Sequence, residues 1–284
     1  MTRISQLRIK HVSRHKWTYG TARWVWDYIK VTMEGGSYAE IRGGWFRDAV
    51  APRHVVRPTV SEVSSPCPTK RDVYLRRVAG VTMEDSESLR LGRMVHEVFL
   101  TPFKESIPFS QLDNRFESII NGYGDLGNKY RTQLYEVYTK AVATSLNARE
   151  EGIPISVEPA IPGAPIGLSD IVKPDILVGF IPVELVASSQ PTEELTSRKD
   201  IAVTAYALAI EAWIGHPVDI GVVLHISIND KPRLTWRVVK IDDTLRRAFL
   251  DMRDNVARII EHGDDPGPAS SCPRTCPFYG VCHG

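Results

Sequence analysis

Four cysteines place the tightest constraint on how this chain can fold. Cys67 stands alone in Ser65–Pro66–Cys67–Pro68, while Cys272, Cys276 and Cys282 fall within the last thirteen residues as Cys–x3–Cys–x5–Cys. Prolines and polar residues flank them, as in loops whose side chains converge. A centre that gathers all four must carry the tail of the chain back to residue 67. Four thiolates suit a zinc ion or an iron–sulfur cluster, because both take soft sulfur ligands. Structural zinc usually takes two closely spaced pairs. The split here is one plus three, which cubane clusters accept. Four unrelated cysteines, or a disulfide, are the alternatives. His283 adjoins Cys282 too closely to be expected as a further ligand.

Composition narrows the class. With 43% hydrophobic and 24% charged residues, the chain is neither a disordered tail nor a fibre. Its net charge is only +1, but residues 1–100 carry 17 Lys and Arg against 10 Asp and Glu, and the remainder 18 against 24. A basic first third beside an acidic remainder fits a polyanion-binding face next to a carboxylate site. No run approaches the ~20 apolar residues of a membrane span. Met1 to Trp17 is polar and basic, unlike a secretory leader. A cytoplasmic protein without membrane contact is expected, and in that setting cysteines serve as ligands more often than as disulfides.

Residues 1–58, with Trp17, Trp24, Trp26 and a Gly-rich stretch to Gly44–Trp45, give no clear pattern beyond a small helical or mixed lobe. Helices are expected over 70–78, over 87–100 with an end at Pro102, and over 128–147. Two β-rich runs, 173–178 and 181–187, flank Gly179–Phe180 with hairpin spacing. A helix over 199–214, strands over 218–228 and 234–241, and an amphipathic helix over 242–262 follow. The result is an α/β fold, a mixed central sheet flanked by helices. Four segments are expected: 1–58, a helical part over 59–150, a core over 151–265, and a Cys-rich clasp over 266–284.

The hairpin carries the acidic signal. A two-residue turn pairs Val178 with Ile181 and, by register, sets Asp175 opposite Glu184 with Cβ atoms ~5 Å apart. Such neighbours repel unless a cation lies between them, and Mg²⁺ or Mn²⁺ prefers oxygen ligands of this kind. Two outward-facing acids on a solvated hairpin are the alternative. On the helix over 87–100, Gly92 precedes His96 by four positions, so a small residue stands beside the imidazole.

In combination these pieces resemble the RecB-like CRISPR-associated exonucleases of the PD-(D/E)xK superfamily, nearest to the longer archaeal variant of subtype I-A loci. The resemblance runs from about Val60 to the C-terminus. It rests on Cys67–Pro–Thr–Lys–Arg–Asp–Val–Tyr–Leu–Arg–Arg77, Gly92–x3–His96, Ile166–Gly–Leu–Ser169 ahead of Asp175, the strand ending at Glu184, Ala205–Tyr–Ala–Leu–Ala–Ile–Glu211 and the terminal cysteine motif. It implies a RecB-like, restriction-endonuclease-type core. His96, Asp175, Glu184 and the Leu185 carbonyl would hold Mn²⁺ or Mg²⁺. The four cysteines would hold a [4Fe–4S] or [2Fe–2S] cluster. The implied reaction is phosphodiester hydrolysis on DNA ends or single strands, supporting spacer acquisition with the CRISPR integrase proteins.

Two departures bear on the chemistry. The family motif Glu-x-Lys reads Glu184–Leu185–Val186 here, and the Gln-x-x-x-Tyr motif keeps Tyr206 but has Ala202 in the glutamine position. Lys173 shares the strand face of Asp175 and is the expected substitute for the missing lysine, with Lys199 or Arg198 as alternatives. Asp170 competes with Asp175 as the metal-ligating acid. Without a substitute lysine, the fold would serve as a catalytically impaired DNA-binding or scaffold subunit of the adaptation complex. Lys70, Arg71, Arg76, Arg77 and Arg93, with Arg90, form the expected DNA track, or else a merely solvated helix face.

Overall fold

Gly179, at φ +60, turns the hairpin that anchors the fold. In the computed structural model, which describes residues 39–44, 50–83, 85–104, 108–188, 193–274 and 276–284, Ile176↔Val183, Leu177↔Pro182 and Val178↔Ile181 pair antiparallel, the register expected from the two-residue turn. The tryptophans at 17, 24, 26 and 45 lie outside the described residues.

In chain order the helices are α1 (Val60–Val63), α2 (Arg71–Arg77), α3 (Glu87–Lys104), α4 (Leu112–Gly122), α5 (Asp125–Glu150), α6 (Glu193–Ile214), α7 (Asp243–His262) and α8 (Tyr279–His283). The strands are β1 (Ile155–Val157), β2 (Ile161–Pro162), β3 (Ile171–Val172), β4 (Ile176–Val178), β5 (Ile181–Ala187), β6 (Ile220–Ser227) and β7 (Arg233–Lys240). Five strands form one sheet in the order β1-β4-β5-β6-β7, and β2 and β3 pair separately. Only the β5–β6 pair in the large sheet is parallel, and α6 is its crossover, as a parallel connection requires.

Strand alternation divides the core. Val183, Leu185, Val222, Leu224 and Ile226 pack with Met94, Val98 and Phe99 of α3 and Leu134 and Tyr138 of α5. Val186 and Val223 turn to the other face, against Ile201, Ala205 and Tyr206 of α6 and Phe249 of α7. Glu184, between Val183 and Leu185, therefore points to the α6 side. This is a mixed sheet flanked by helices, the architecture expected.

Several elements differ from the sequence expectation, among them the strand expected over 173–178, which forms only at Ile176–Val178. Helix α3 runs through Pro102 to Lys104. The proline carbonyl accepts from Ser145 Oγ at 2.7 Å and an Arg149 guanidinium nitrogen at 2.9 Å, so α5 supports this last turn. Helix α4 and strand β1 have no counterpart among the expected elements. Helix α6 begins six residues before Lys199.

A buried ion network fastens the 39–44 segment to α6 and α7. Arg246, fully buried, donates to Glu211 at 2.8 and 3.0 Å and to Asp219 at 3.1 Å, and Arg42 meets the same two carboxylates. At Gly43 an added Cβ would lie 2.0 Å from the Leu208 carbonyl oxygen, so only glycine lets this segment lie on α6. No helix among the described residues is long and apolar enough to cross a membrane.

Candidate functional site

Asp175 precedes β4 by one residue and uses both carboxylate oxygens. Oδ2 accepts the backbone N–H of Leu185 at 2.6 Å, and Oδ1 lies 3.4 Å from Nδ1 of His96 on α3. The register thus carries one step past the hairpin, and Asp175 reaches the strand that holds Glu184. The Leu185 side chain is in the core; its backbone faces the acids.

Glu184 is 9% exposed. Lys199, in the second turn of α6, brings its ammonium 2.6 Å from Glu184 Oε1, and the Tyr206 side chain lies near enough for the Glu184 and Asp175 charges to act on its phenol. Residues 199 and 206 are two helical turns apart, so both look toward β5. His96, Asp175, Glu184, Lys199 and Tyr206 thus form one polar group at the edge of an apolar core.

Burial raises the pKa of Glu184 above the usual carboxylate value, and the Asp175 charge adds to the effect against the pull of Lys199. For His96, burial acts to lower the pKa, but the hydrogen bond to Asp175 and the charges of Asp175 and Glu184 outweigh it, leaving it above the ordinary value. Tyr206 is raised well above 10.0 by burial and by the same two acids, so it stays a hydrogen-bond donor.

Two carboxylates and an imidazole suit a hard or borderline divalent cation, and the mutual repulsion of the acids is what such an ion relieves. Lys199 balances Glu184 in this arrangement, and the three donors do not all lie within 4.8 Å of one another. A cation shared by them would require Glu184 to turn from Lys199.

Lys173 is exposed, with no hydrogen bond or ion pair to the acids among the described residues. The lysine on Glu184 comes from the following helix. Arg198 instead donates to the Ser64 carbonyl at 2.9 Å. Asp170 is exposed and pairs with Arg57 at 2.8 Å, away from Glu184. Val186 and Ala202 are buried in the core. A Cβ on Gly92 would meet nothing within 4 Å, so the space beside His96 is open.

The four cysteines are free thiols. Burial raises the Cys276 pKa, and the nearby Cys272, Cys67 and Cys282 add to the rise, so the thiols of residue 67 and of the tail share one electrostatic environment. The tail is held there by Thr69 Oγ1 donating to the Gly267 carbonyl at 2.9 Å, by a two-pronged Arg71–Asp265 pair, and by Arg76 over the Phe278 ring at 5.9 Å. No three of the sulfurs lie within 4.8 Å of one another. An all-sulfur donor set suits a zinc ion or an iron–sulfur cluster.

A family model described as CRISPR-associated exonuclease Csa1 matches residues 18–284. The chain belongs to the CRISPR-associated exonuclease Csa1 family. It is 29% identical over 229 residues to the CRISPR-associated exonuclease Csa1 of Thermoproteus tenax, covering 76% of this chain and 80% of that protein. It is 28% identical over 272 residues to the protein of the same name from Saccharolobus solfataricus, covering 86% and 91%.

In this Csa1-family chain the basic residues around α2 and α3 divide into two groups. Lys70 is a correction to the expected DNA track. It is buried at a left-handed φ of 62, and its Nζ donates to the Val63 and Ser65 carbonyls at 2.9 and 2.8 Å. Burial lowers its pKa to about 8. It braces the Cys67 loop and offers nothing to a phosphate. Arg71 is held by Asp265. Arg76, Arg77 and Arg93 are exposed and pair with Asp72, Glu62 and Asp85. Solvent-exposed pairs of this kind hold their partners only weakly, so a phosphate can displace them.

Sequence reasoning ranked Lys199 below Lys173 because strand alternation fixes a facing directly, whereas the facing of a helical lysine depends on where its helix starts. The seven-residue spacing of Lys199 and Tyr206 is the signal that would have reversed the order.

Proposed function

We propose that this chain is a divalent-metal-dependent DNA exonuclease acting in CRISPR spacer acquisition. One observation carries the reading: Asp175, just before β4, and Glu184 on β5 meet His96 and Lys199 from two different helices in one polar group. Family membership supplies the CRISPR-associated exonuclease context.

His96, Asp175, Glu184 and the Leu185 carbonyl would hold Mn²⁺ or Mg²⁺. The ion would supply charge neutralisation at the scissile phosphate and activation of water. Asp175 is oriented by the Leu185 N–H and by His96. Tyr206, beside Glu184, would help to fix it by donating to it. Lys199 supplies the cation that the Glu-x-Lys motif would place at Val186. Released from Glu184, its ammonium would donate to the attacking water or to a phosphate oxygen, a role that its position next to the acid supports. Cys67, Cys272, Cys276 and Cys282 would hold an iron–sulfur cluster that fixes the tail against α2. Arg76, Arg77 and Arg93 would contact phosphates without reading sequence.

The test is degradation of end-labelled single-stranded DNA with Mn²⁺, by wild type and by Asp175→Asn, which keeps an acceptor for the Leu185 N–H. Loss of end-first degradation in the variant and in chelator supports the reading. Mn²⁺-dependent DNA binding with no degradation by the wild type would favour a scaffold subunit instead.

A further inference from the structure

A second cluster of potential metal ligands lies away from the acids. His54 precedes α1, and Glu261 and His262 end α7. One ligand atom from each of the three lies within 4.8 Å of the others, the only such trio among the described residues. His54 Nδ1 is 2.7 Å from Glu261 Oε2, and the two imidazole rings stand edge to face with centroids 6.2 Å apart.

Its backbone is held in place. Arg253, almost fully buried on α7, donates to the carbonyls of Val50 at 2.6 Å, Ala51 at 3.2 Å and Ile166 at 2.8 Å. That fixes the segment leading to His54 against the helix that carries the other two groups. The His54 and Glu261 side chains are 20% and 31% exposed, so an ion can enter. The trio also sits at the C-terminal end of a 20-residue helix, where the helix dipole favours positive charge.

We infer that His54, Glu261 and His262 bind a divalent transition-metal ion of the zinc class. Two imidazoles and a carboxylate are a zinc donor set, with water completing a tetrahedron. Mg²⁺ prefers all-oxygen sites and would not choose this one. The 2.7 Å contact between His54 Nδ1 and Glu261 Oε2 already brings two of the three ligand atoms together, and to admit a metal ion they need to part by only a fraction of an ångström. The bound ion would join the segment that leads to Cys67 to the helix that leads to Cys272, closing the chain on the side of the tail clasp. The inference is independent of the nuclease reading.

Zinc titration of the full-length protein against a chromophoric chelator tests it. The His54→Ala/His262→Ala variant is expected to bind one zinc equivalent fewer than wild type, with the cysteine and acidic sites common to both. Glu261→Gln, a surface change with little effect on folding, is expected to weaken that equivalent by about tenfold or more. The double variant decides if its circular dichroism matches wild type, and Glu261→Gln decides if it does not. Unchanged stoichiometry and affinity in the deciding variant, or no zinc uptake by folded wild type, overturns the inference.

Discussion

Lys199 Nζ and Glu184 Oε1 are 2.6 Å apart, a contact between a helix and the central strand β5. It puts an ammonium beside the acid even though the motif position two residues on, Val186, is apolar and buried. Lys199→Ala is expected to lower the cleavage rate about 10²–10⁴-fold at saturating DNA, while Lys173→Ala leaves it near wild type. Single-turnover cleavage of labelled DNA checks both. Equal losses in the two variants would remove the special role of Lys199.

The pKa shifts of His96 and Glu184 set a pH dependence. Both groups are raised in the fold, so each binds its proton more tightly folded than unfolded. Their stabilising contributions are therefore complete below the unfolded values and are lost as pH rises through the folded ones. For His96 the contribution is complete below 6.5 and declines above it. The unfolding free energy of metal-free wild type, relative to His96→Asn, is expected to fall from about pH 6 to about pH 8. Over the same range Mn²⁺ affinity rises, because ligation needs the deprotonated forms. Urea titrations and calorimetry read the two opposite slopes.

The Arg246–Glu211–Asp219–Arg42 network predicts a large stability cost. Glu211→Ala leaves two guanidinium groups, 5% exposed at Arg42 and 0% at Arg246, short of their main counter-charge. A loss of about 3–5 kcal/mol is expected, read as a lower urea midpoint at an unchanged slope. A loss under about 1 kcal/mol would mean that Asp219 alone balances both arginines.

Salt dependence separates the arginines from Lys70. Each of Arg76→Ala, Arg77→Ala and Arg93→Ala is expected to reduce the slope of log K against log salt for single-stranded DNA by about 0.7. Lys70→Ala should leave that slope unchanged and lower thermal stability, because the Val63 and Ser65 carbonyls lose their donor. A slope change in Lys70→Ala would put its ammonium at the DNA.

The hairpin was legible because strand period and a two-residue turn leave one register, which carried Asp175 to the strand of Glu184. The α6 contribution was less legible, since nothing local in the sequence orders Lys199 and Tyr206 against β5. That order comes from the parallel crossover and from Ala202 and Ala205, whose small side chains let the helix lie on the sheet. Lys70 was misread because a lysine in a basic run looks solvent-facing. Its left-handed backbone, a conformation that side-chain-bearing residues rarely adopt, turns it inward to the carbonyls of the preceding loop. Helix α4 was missed between clearer neighbours, although Phe116, Ile119 and Ile120 give it a buried face.

The contacts of Thr69 and Arg71 also fix an order of events during synthesis. Arg71 waits 194 residues for Asp265, and Thr69 waits 198 for Gly267. At ~5–20 residues per second, α2 spends roughly 10–40 s on the ribosome before its partners exist. Through that interval Cys272, Cys276 and Cys282 do not yet exist, so the one-plus-three arrangement of thiols can assemble only as the last thirteen residues are made.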